Sequence, residues 1–223
     1  DDCFIVSYPK SGSTWMRHML AVLKSKKSNV GLSEMEALIP NLNIASAKLL
    51  EALPSPRIMK THAVLTPSYK RVVYIVRDPR DVAVSYWHHQ RRAFMKSKRD
   101  LPWDAFLNEF VNGGTWRDHV GGWLGAREGQ EDFMLVRYED LIPDTRDVLK
   151  SVAVHCGLSV SDAEVETACL SSAIDKLRRK ENAESKSWEE SKYADPSISF
   201  FRSGSTGEWR GMFSSDQLMA LNK

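Results

Sequence analysis

The sequence predicts an α/β fold in which a central, mainly parallel sheet is flanked by helices on both faces. β-rich runs cover residues 3–8, 57–60, 72–76 and 133–137, and segments with helical patterning separate them. Strands that alternate with helices generally pair in parallel, and such sheets bind ligands at the carboxyl ends of their strands. Candidate polar residues follow all four runs, so we expect them to meet at one edge of the sheet.

Composition limits the class of protein before any motif is considered. The 223 residues, 42% of them hydrophobic, can fill a sizeable core, and we expect a single domain over residues 1–223 without an N-terminal extension. A net charge of +2 is too small to indicate a nucleic acid or a membrane as partner. The three cysteines form no CxxC pair, and no apolar run approaches the roughly 20 residues that span a bilayer. We therefore expect a cytoplasmic location.

The first strand leads into the segment YPKSGSTW at residues 8–15, which opens a helix and includes a phosphate loop, the turn between strand and helix. A helix start carries unpaired N–H groups and positive partial charge, and Gly12 lets the backbone wrap a phosphate there. Lys10 adds a full charge, while Ser13 and Thr14 can each donate a hydroxyl group. The lysine precedes the glycine, unlike the Walker arrangement of nucleotide triphosphatases. A polar turn before a buried helix is the alternative explanation of this segment.

The second strand ends in the segment MKTH, which contains Lys60 and His62. Because side chains alternate along a strand, these two residues point to the same side, and a cation and a base then share one site. Histidine suits the removal of a proton from a weakly acidic hydroxyl, since its unperturbed pKa is about 6.5. Packing or surface positions explain most of the other histidines.

The third strand ends at Arg77, and the segment RDPRDVAVSYW then begins a helix at its proline. Arg77 can present a planar fork to a phosphate, and Ser85 can supply a hydroxyl from the facing side of the helix. An ion pair of Arg77 with Asp78 or Asp81 is the alternative. The helix continues into a basic cluster that we expect to form a solvated face: Arg91, Arg92, Lys96, Lys98 and Arg99.

Later segments complete the set of candidates. Tyr138 follows the fourth strand in the segment RYEDL, and residues 200–209, FFRSGSTGEW, form a short aromatic-to-glycine turn. Residues 176–193 are polar and charge-rich, and we expect a loop there. It is either an ordinary surface excursion or a lid that orders over a ligand.

Together these segments resemble the cytosolic-type sulfotransferases, which use 3′-phosphoadenosine 5′-phosphosulfate (PAPS) and release adenosine 3′,5′-bisphosphate (PAP). YPKSGSTW is similar to the family's phosphosulfate loop, and KTH is similar to its catalytic signature. RDPRDVAVSYW is similar to the family's 3′-phosphate segment, and FFRSGSTGEW to its late RKG-containing motif. The resemblance covers nearly the whole chain. It implies an α/β sulfotransferase without a metal, which acts on a hydroxyl or amine of a small, partly apolar acceptor.

The resemblance also assigns roles to individual residues. It implies His62 as catalytic base, Lys60 as a contact of the transferring sulfuryl group and Lys10 as the stabiliser of the departing phosphate. Ser85 holds the 3′-phosphate by the same resemblance and restrains Lys10 before the acceptor arrives. The residues implied to bind PAPS are Lys10, Ser11, Gly12, Ser13, Thr14, Trp15, Arg77, Ser85, Tyr138, Ser172, Ile174, Phe200, Arg202, Ser203 and Gly204.

Two positions depart from the family's pattern. Ser203 stands where many members have lysine, which removes one positive charge near the 3′-phosphate, and Ile174 stands where the family has phenylalanine. Trp15 is the expected stacking partner of adenine, since base stacking contributes roughly 1–3 kcal/mol in nucleic-acid sites. The departures leave a noncatalytic PAPS- or PAP-binding protein open, and a magnesium-dependent small-molecule kinase is a second alternative. The sequence favours neither a monomer nor a dimer.

Overall fold

The computed structural model describes residues 2–92 and 100–221, and a four-stranded parallel sheet forms its centre. The strands are β1 (Cys3–Ser7), β2 (Ile58–Thr61), β3 (Arg71–Val76) and β4 (Phe133–Arg137), and their order in the sheet is β2-β1-β3-β4. All three neighbouring pairs are parallel. The predicted fold class is confirmed, and the predicted strand ends agree with the observed ones to within one residue.

Helices connect the strands and cover both faces of the sheet. They are α1 (Ser13–Ser25), α2 (Leu32–Leu38), α3 (Ala47–Ala52), α4 (Pro79–Arg92), α5 (Trp103–Asn112), α6 (Thr115–Arg127), α7 (Tyr138–Leu141), α8 (Thr145–His155), α9 (Asp162–Ser171), α10 (Ile174–Ala183) and α11 (Ser215–Leu221), with a 3₁₀ turn at Glu208–Gly211. In the described part of the chain, none of these helices combines the length and the apolar character needed to cross a membrane.

The central strand β3 shows why the core has two layers. Its inner residues are aliphatic or aromatic and fully buried, as expected for a parallel strand that is covered on both faces. Val73 and Ile75 join the larger cluster, which includes most of the apolar side chains of α1. Val72 and Tyr74 pack on the opposite face against Trp123 of α6. Helices on both faces therefore anchor the strand that leads to Arg77.

The expectation of a loop over residues 176–193 was wrong for its first half. Helix α10 covers that half, and a charge-rich sequence is helical there because one face is buried. Leu177 is fully buried, and Arg178 donates from Nε to the carbonyl of Phe201 at 2.7 Å. Beyond the helix the chain forms turns, within which Trp188 is fully buried and stacks on Phe201 with ring centroids 5.7 Å apart.

The expectation of a solvated basic face was wrong for Arg92. Its side chain is only 5% exposed and forms an ion pair with Glu181, in which Nη2 lies 2.8 Å from Oε1. Nη2 also donates to the hydroxyl of Ser191, and Nε donates to the carbonyl of Ile198. Lys96, Lys98 and Arg99 lie outside the described residues. Arg92 therefore joins α4 to α10 and to the segment that follows α10.

We expect Arg92→Met to lower the free energy of unfolding by about 3–5 kcal/mol, because the buried carboxylate of Glu181 loses its countercharge. Arg179→Met is the matched control on α10, where the ion pair of Arg179 with Asp175 is solvent-exposed. This control should cost less than about 1 kcal/mol. Urea denaturation of both variants measures the difference. Equal losses would contradict a structural role for the Arg92–Glu181 pair.

Candidate active site

A cavity of about 570 Å³ opens at the carboxyl edge of the sheet. Residues that end or follow the four strands line it: Lys10, Lys60, His62, Arg77 and Tyr138. The other predicted site residues on its wall are Gly12, Ser13, Thr14, Trp15, Ser85, Ile174, Phe200, Arg202, Ser203 and Gly204. Ser11 and Ser172 are the two predicted residues that do not line the cavity.

The phosphate loop between β1 and α1 has the backbone geometry of an anion cradle. Lys10 and Gly12 adopt positive φ angles of 69° and 97°. Helix α1 then begins at Ser13 without a side-chain cap and without an acidic residue in its first turn. The hydroxyl of Ser11 is buried and has no hydrogen-bond partner among the described residues. These unpaired donors are what an anion would bind.

Glycine is required at position 12 for two reasons: its φ angle is positive, and the ring of Tyr138 leaves no room for a Cβ. A Cβ at this position would lie 2.6 Å from Cε2 of Tyr138, which is inside van der Waals contact. The Tyr138 ring also packs edge-on against Trp15, with centroids 6.2 Å apart, and lies 4.4 Å from the guanidinium carbon of Arg77. Tyr138 therefore sets the distance between the phosphate loop and the arginine that follows β3.

The imidazole of His62 is held in one tautomer. Nδ1 donates to the carbonyl of Ser7 at 2.7 Å, so the lone pair is on Nε2, to which Lys60 Nζ donates at 2.6 Å. Burial and the nearby Lys60 ammonium lower the pKa of His62 to about 3, and burial lowers the pKa of Lys60 to about 8. The imidazole is therefore neutral at pH 7 and can accept a proton at Nε2 when Lys60 moves away.

Three side chains that the sequence analysis missed form hydrogen bonds with the backbone of His62 and Ala63. Asn43 Oδ1 accepts from the N–H of His62, and His119 Nε2 lies 3.2 Å from its carbonyl oxygen. Trp123 Nε1 donates to the carbonyl of Ala63 at 3.0 Å. No motif marks these residues, because they come from separate segments that only the fold brings together.

Lys10 is half-buried beside other cations. Its Nζ lies 3.9 Å from the centroid of the Phe200 ring. Its pKa is lowered to about 7, chiefly by loss of solvent and also by three nearby cationic side chains, while Glu190 acts in the opposite direction. Lys10 is therefore only partly charged near neutral pH, and a bound anion would restore its full charge.

Arg77 spans the space between the phosphate loop and the late turn. Nη1 donates to the carbonyl of Lys10 at 3.2 Å, and Nη2 donates to the carbonyl of Ser205 at 2.9 Å. Its Nε is buried without a partner among the described residues. Within the same residues, the ion pair with Asp78 or Asp81 is not formed, since Asp78 pairs with Arg80 instead. The buried N–H of Arg77 Nε is thus available to a ligand.

The late turn at residues 200–209 is fastened to α4. Asp81 accepts hydrogen bonds from the N–H groups of Gly207 at 2.6 Å and Trp209 at 3.2 Å. Arg202 forms an ion pair with Glu208. A buried carboxylate near the start of α4 therefore fixes the turn that presents residues 202–204 to the cavity.

Of two further predicted residues, Ile174 lines the cavity and Ser172 does not. Ile174 lies on the cavity wall, where it would be 3.4 Å from a Cβ at Gly204. Ser172 is fully buried away from the wall: its hydroxyl bonds to His18 Nδ1 at 2.7 Å, and its carbonyl accepts from Trp15 Nε1 at 2.9 Å. Ser172 thus positions Trp15.

Several cavity residues were not named as candidates in the sequence analysis. They are Pro9, Asn41, Asn43, Ile44, Tyr86, His89, Leu177, Glu190 and Phe201. His89 could have been found, since it lies one turn beyond Ser85 on the same helix face. Asn43 lies in a segment without a motif, so the sequence carried no signal for it. Glu190 lies in residues 176–193, for which a lid over a ligand was one of the two interpretations, but no residue of that segment was singled out.

Comparison with known proteins identifies the family. A family model described as "Sulfotransferase domain" matches residues 1–223. The chain belongs to this family. Among curated relatives, sulfotransferase 1A1 of Rattus norvegicus is 30% identical over 96% of this chain and 79% of its own length. Sulfotransferase 1C2 of Homo sapiens is 29% identical over 96% of this chain and 78% of its own length.

A solved structure agrees with this assignment. The mouse sulfotransferase SULT7A1 complexed with PAP is 27% identical and matches with a TM-score of 0.74, over 100% of this chain and 82% of that one. Membership confirms the predicted family and enzyme class, with PAPS as co-substrate. The site of this sulfotransferase fits such a ligand, because the buried Ser11 Oγ and Arg77 Nε have no partner among the described residues and helix α1 begins there without a side-chain cap.

We expect Gly12→Ala to destabilise the sulfotransferase by at least about 2 kcal/mol, because the new Cβ overlaps the Tyr138 ring and φ is positive. Gly125→Ala is the matched control in α6, since nothing lies within 4 Å of its added Cβ. The control should be neutral or more stable by up to about 1 kcal/mol. Thermal unfolding compares the two variants, and equal melting temperatures would contradict the contact with Tyr138.

Proposed function

We propose that the cavity aligns PAPS with the hydroxyl or amine of a small, partly apolar acceptor, and that His62 is the general base. One observation carries this proposal: a neutral imidazole, fixed by the carbonyl of Ser7, shares one wall with Lys60 and with the phosphate loop. A base, a movable cation and an anion cradle are the groups that sulfuryl transfer needs. The acceptor's apolar part would lie against Ile44, Tyr86 and Phe200.

The proposed contacts of PAPS follow from the unpaired donors. The first N–H groups of α1, with Lys10, would hold the 5′ side, while Arg77 Nε and Ser85 would hold the 3′-phosphate. Trp15 and Tyr138 offer aromatic surface for adenine. The remaining contacts would come from Ser11, Ser13, Thr14, Ile174, Phe200, Arg202, Ser203 and Gly204. The ion pair of Arg202 with Glu208 supports a positioned rather than a free guanidinium.

The residues would act in a concerted, in-line transfer. His62 Nε2 takes the acceptor's proton while the acceptor atom bonds to sulfur and the bond from sulfur to the 5′-phosphate oxygen breaks. Lys60 leaves His62 for the sulfuryl oxygens, which frees Nε2. Lys10 leaves the Phe200 ring and stabilises the charge that develops on the departing phosphate. Ser85 lines the same small recess as Lys10, which supports its predicted role in restraining that lysine.

Rates of label transfer test this function. The wild-type protein should transfer ³⁵S from PAPS to a simple phenol such as 2-naphthol. With Mg-ATP it should neither phosphorylate 2-naphthol nor hydrolyse the ATP. His62→Ala should lower kcat by about 10²–10⁴-fold while the Kd for PAP changes by less than about threefold. An unchanged kcat in His62→Ala would exclude the proposed base. Binding of PAP without any transfer would favour the noncatalytic alternative.

Calorimetry at two pH values tests the role of Lys10. A lysine with a lowered pKa loses its charge as the pH rises through about 7, and a bound anion raises that pKa again. PAP binding at pH 8 should therefore take up close to one proton more in the wild type than in Lys10→Arg, whose charge is permanent. At pH 6 the two should match. Equal uptake at pH 8 would show that Lys10 does not meet the phosphate.

A further inference from the structure

One acidic residue lies where the proposed function calls for cations. Among the described residues that line the cavity, Glu190 is the single carboxylate. It is half-buried, whereas its neighbour Glu189 is exposed and forms an ion pair with Lys192. Within the described part of the chain, the carboxylate of Glu190 has no ion pair within 4 Å and no hydrogen bond. Because this carboxylate lies on the cavity wall and no described side chain pairs with it, it is available to a ligand in the cavity.

The backbone holds Glu190 firmly at this wall. Its carbonyl accepts from Arg92 Nη1, and the hydroxyl of Ser191 is bonded to Nη2 of the same arginine. Two residues earlier, Trp188 is fully buried and its ring packs edge-on against Phe200. These anchors on both sides of Glu190 fix its backbone at the cavity wall.

The field of Glu190 reaches both catalytic lysines. It is the strongest charge that counteracts the lowered pKa of Lys10 and of Lys60. When PAPS binds, its phosphates and sulfuryl group would engage these lysines, and Glu190 would then face additional negative charge. A positive charge from the acceptor side would relieve this repulsion.

The neighbouring walls suit such a charge. Tyr86 and Phe200 present aromatic rings to the same cavity, and aromatic faces attract ammonium groups. His89 lies beside Phe200, with ring centroids 5.7 Å apart, and its buried Nδ1 has no partner among the described residues. A carboxylate with aromatic rings and a free imidazole nitrogen recognises a protonated amine better than a neutral apolar group.

We propose that the acceptor carries an ammonium group that Glu190 binds while its hydroxyl is sulfated at His62. This inference rests on the proposed function and names the substrate class for that same cavity. Glu190 is a specificity-determining residue in this scheme, and it takes no part in the transfer of the proton or of the sulfuryl group. A phenol or alcohol with a protonated amine a few bonds from the hydroxyl has the required chemistry.

Calorimetry on the enzyme–PAP complex tests the proposal without turnover. Tyramine and 4-propylphenol form a matched pair, since an ammonium group in one takes the place of a methyl group in the other. The wild-type complex should bind tyramine about tenfold more tightly, and Glu190→Gln should remove this preference. Glu189→Gln is the matched control, because it removes the same charge from the adjacent exposed position and should keep the preference.

The possible results separate this proposal from the proposed function. Equal affinities for the two phenols, binding of neither, or a preference that survives in Glu190→Gln would overturn the ammonium site. Tighter PAP binding by Glu190→Gln without a change in acceptor preference would also overturn it. Glu190 would then only neutralise the lysines of the free protein until the phosphates of PAP replace its carboxylate. Failure of PAP itself to bind would instead count against the proposed function.

Discussion

The parallel pairing of β1 with β2 on one side and with β3 on the other is the constraint on which the site depends. Its register places Val6 beside Thr61 and Ser7 beside Ile75, so the three strands end at nearly the same level. Their next residues must therefore share one small volume. The hydrogen bond from His62 Nδ1 to the carbonyl of Ser7 is a direct result, because it joins the end of β2 to the end of β1.

Crowded cations are the energetic consequence of that geometry. Lys60 is buried and Lys10 is half-buried, both have a lowered pKa, and the charge of Glu190 acts on both. The free protein tolerates them through weak or temporary partners, namely the Phe200 ring for Lys10 and the imidazole nitrogen of His62 for Lys60. Such partners are easily exchanged for the oxygens of a phosphate or a sulfuryl group. A site that is poorly satisfied when free is well suited to an anionic co-substrate.

The segment that follows α10 joins structural and functional demands. Arg92 leaves the end of α4, pairs with the buried Glu181, and binds the backbone of the turns that carry Glu190. The same helix α4 presents Ser85 and His89 to the cavity. Movement of one of these elements would therefore displace the others. Stability of the Arg92 network and orientation of the acceptor wall are thus linked through a single helix.

Local patterns in the sequence were sufficient to determine the strands, the phosphate loop, the Lys60 and His62 pair and the turn with Arg202. Each is a short run whose composition is tied to a backbone form, and parallel strands bring such runs together at one edge. Tertiary structure alone decided that Ser172 supports Trp15, that Arg92 is buried, and that Glu190 faces the cavity. These features depend on packing between distant segments, and a charged side chain looks the same in the sequence whether its partner is water, another residue or a ligand.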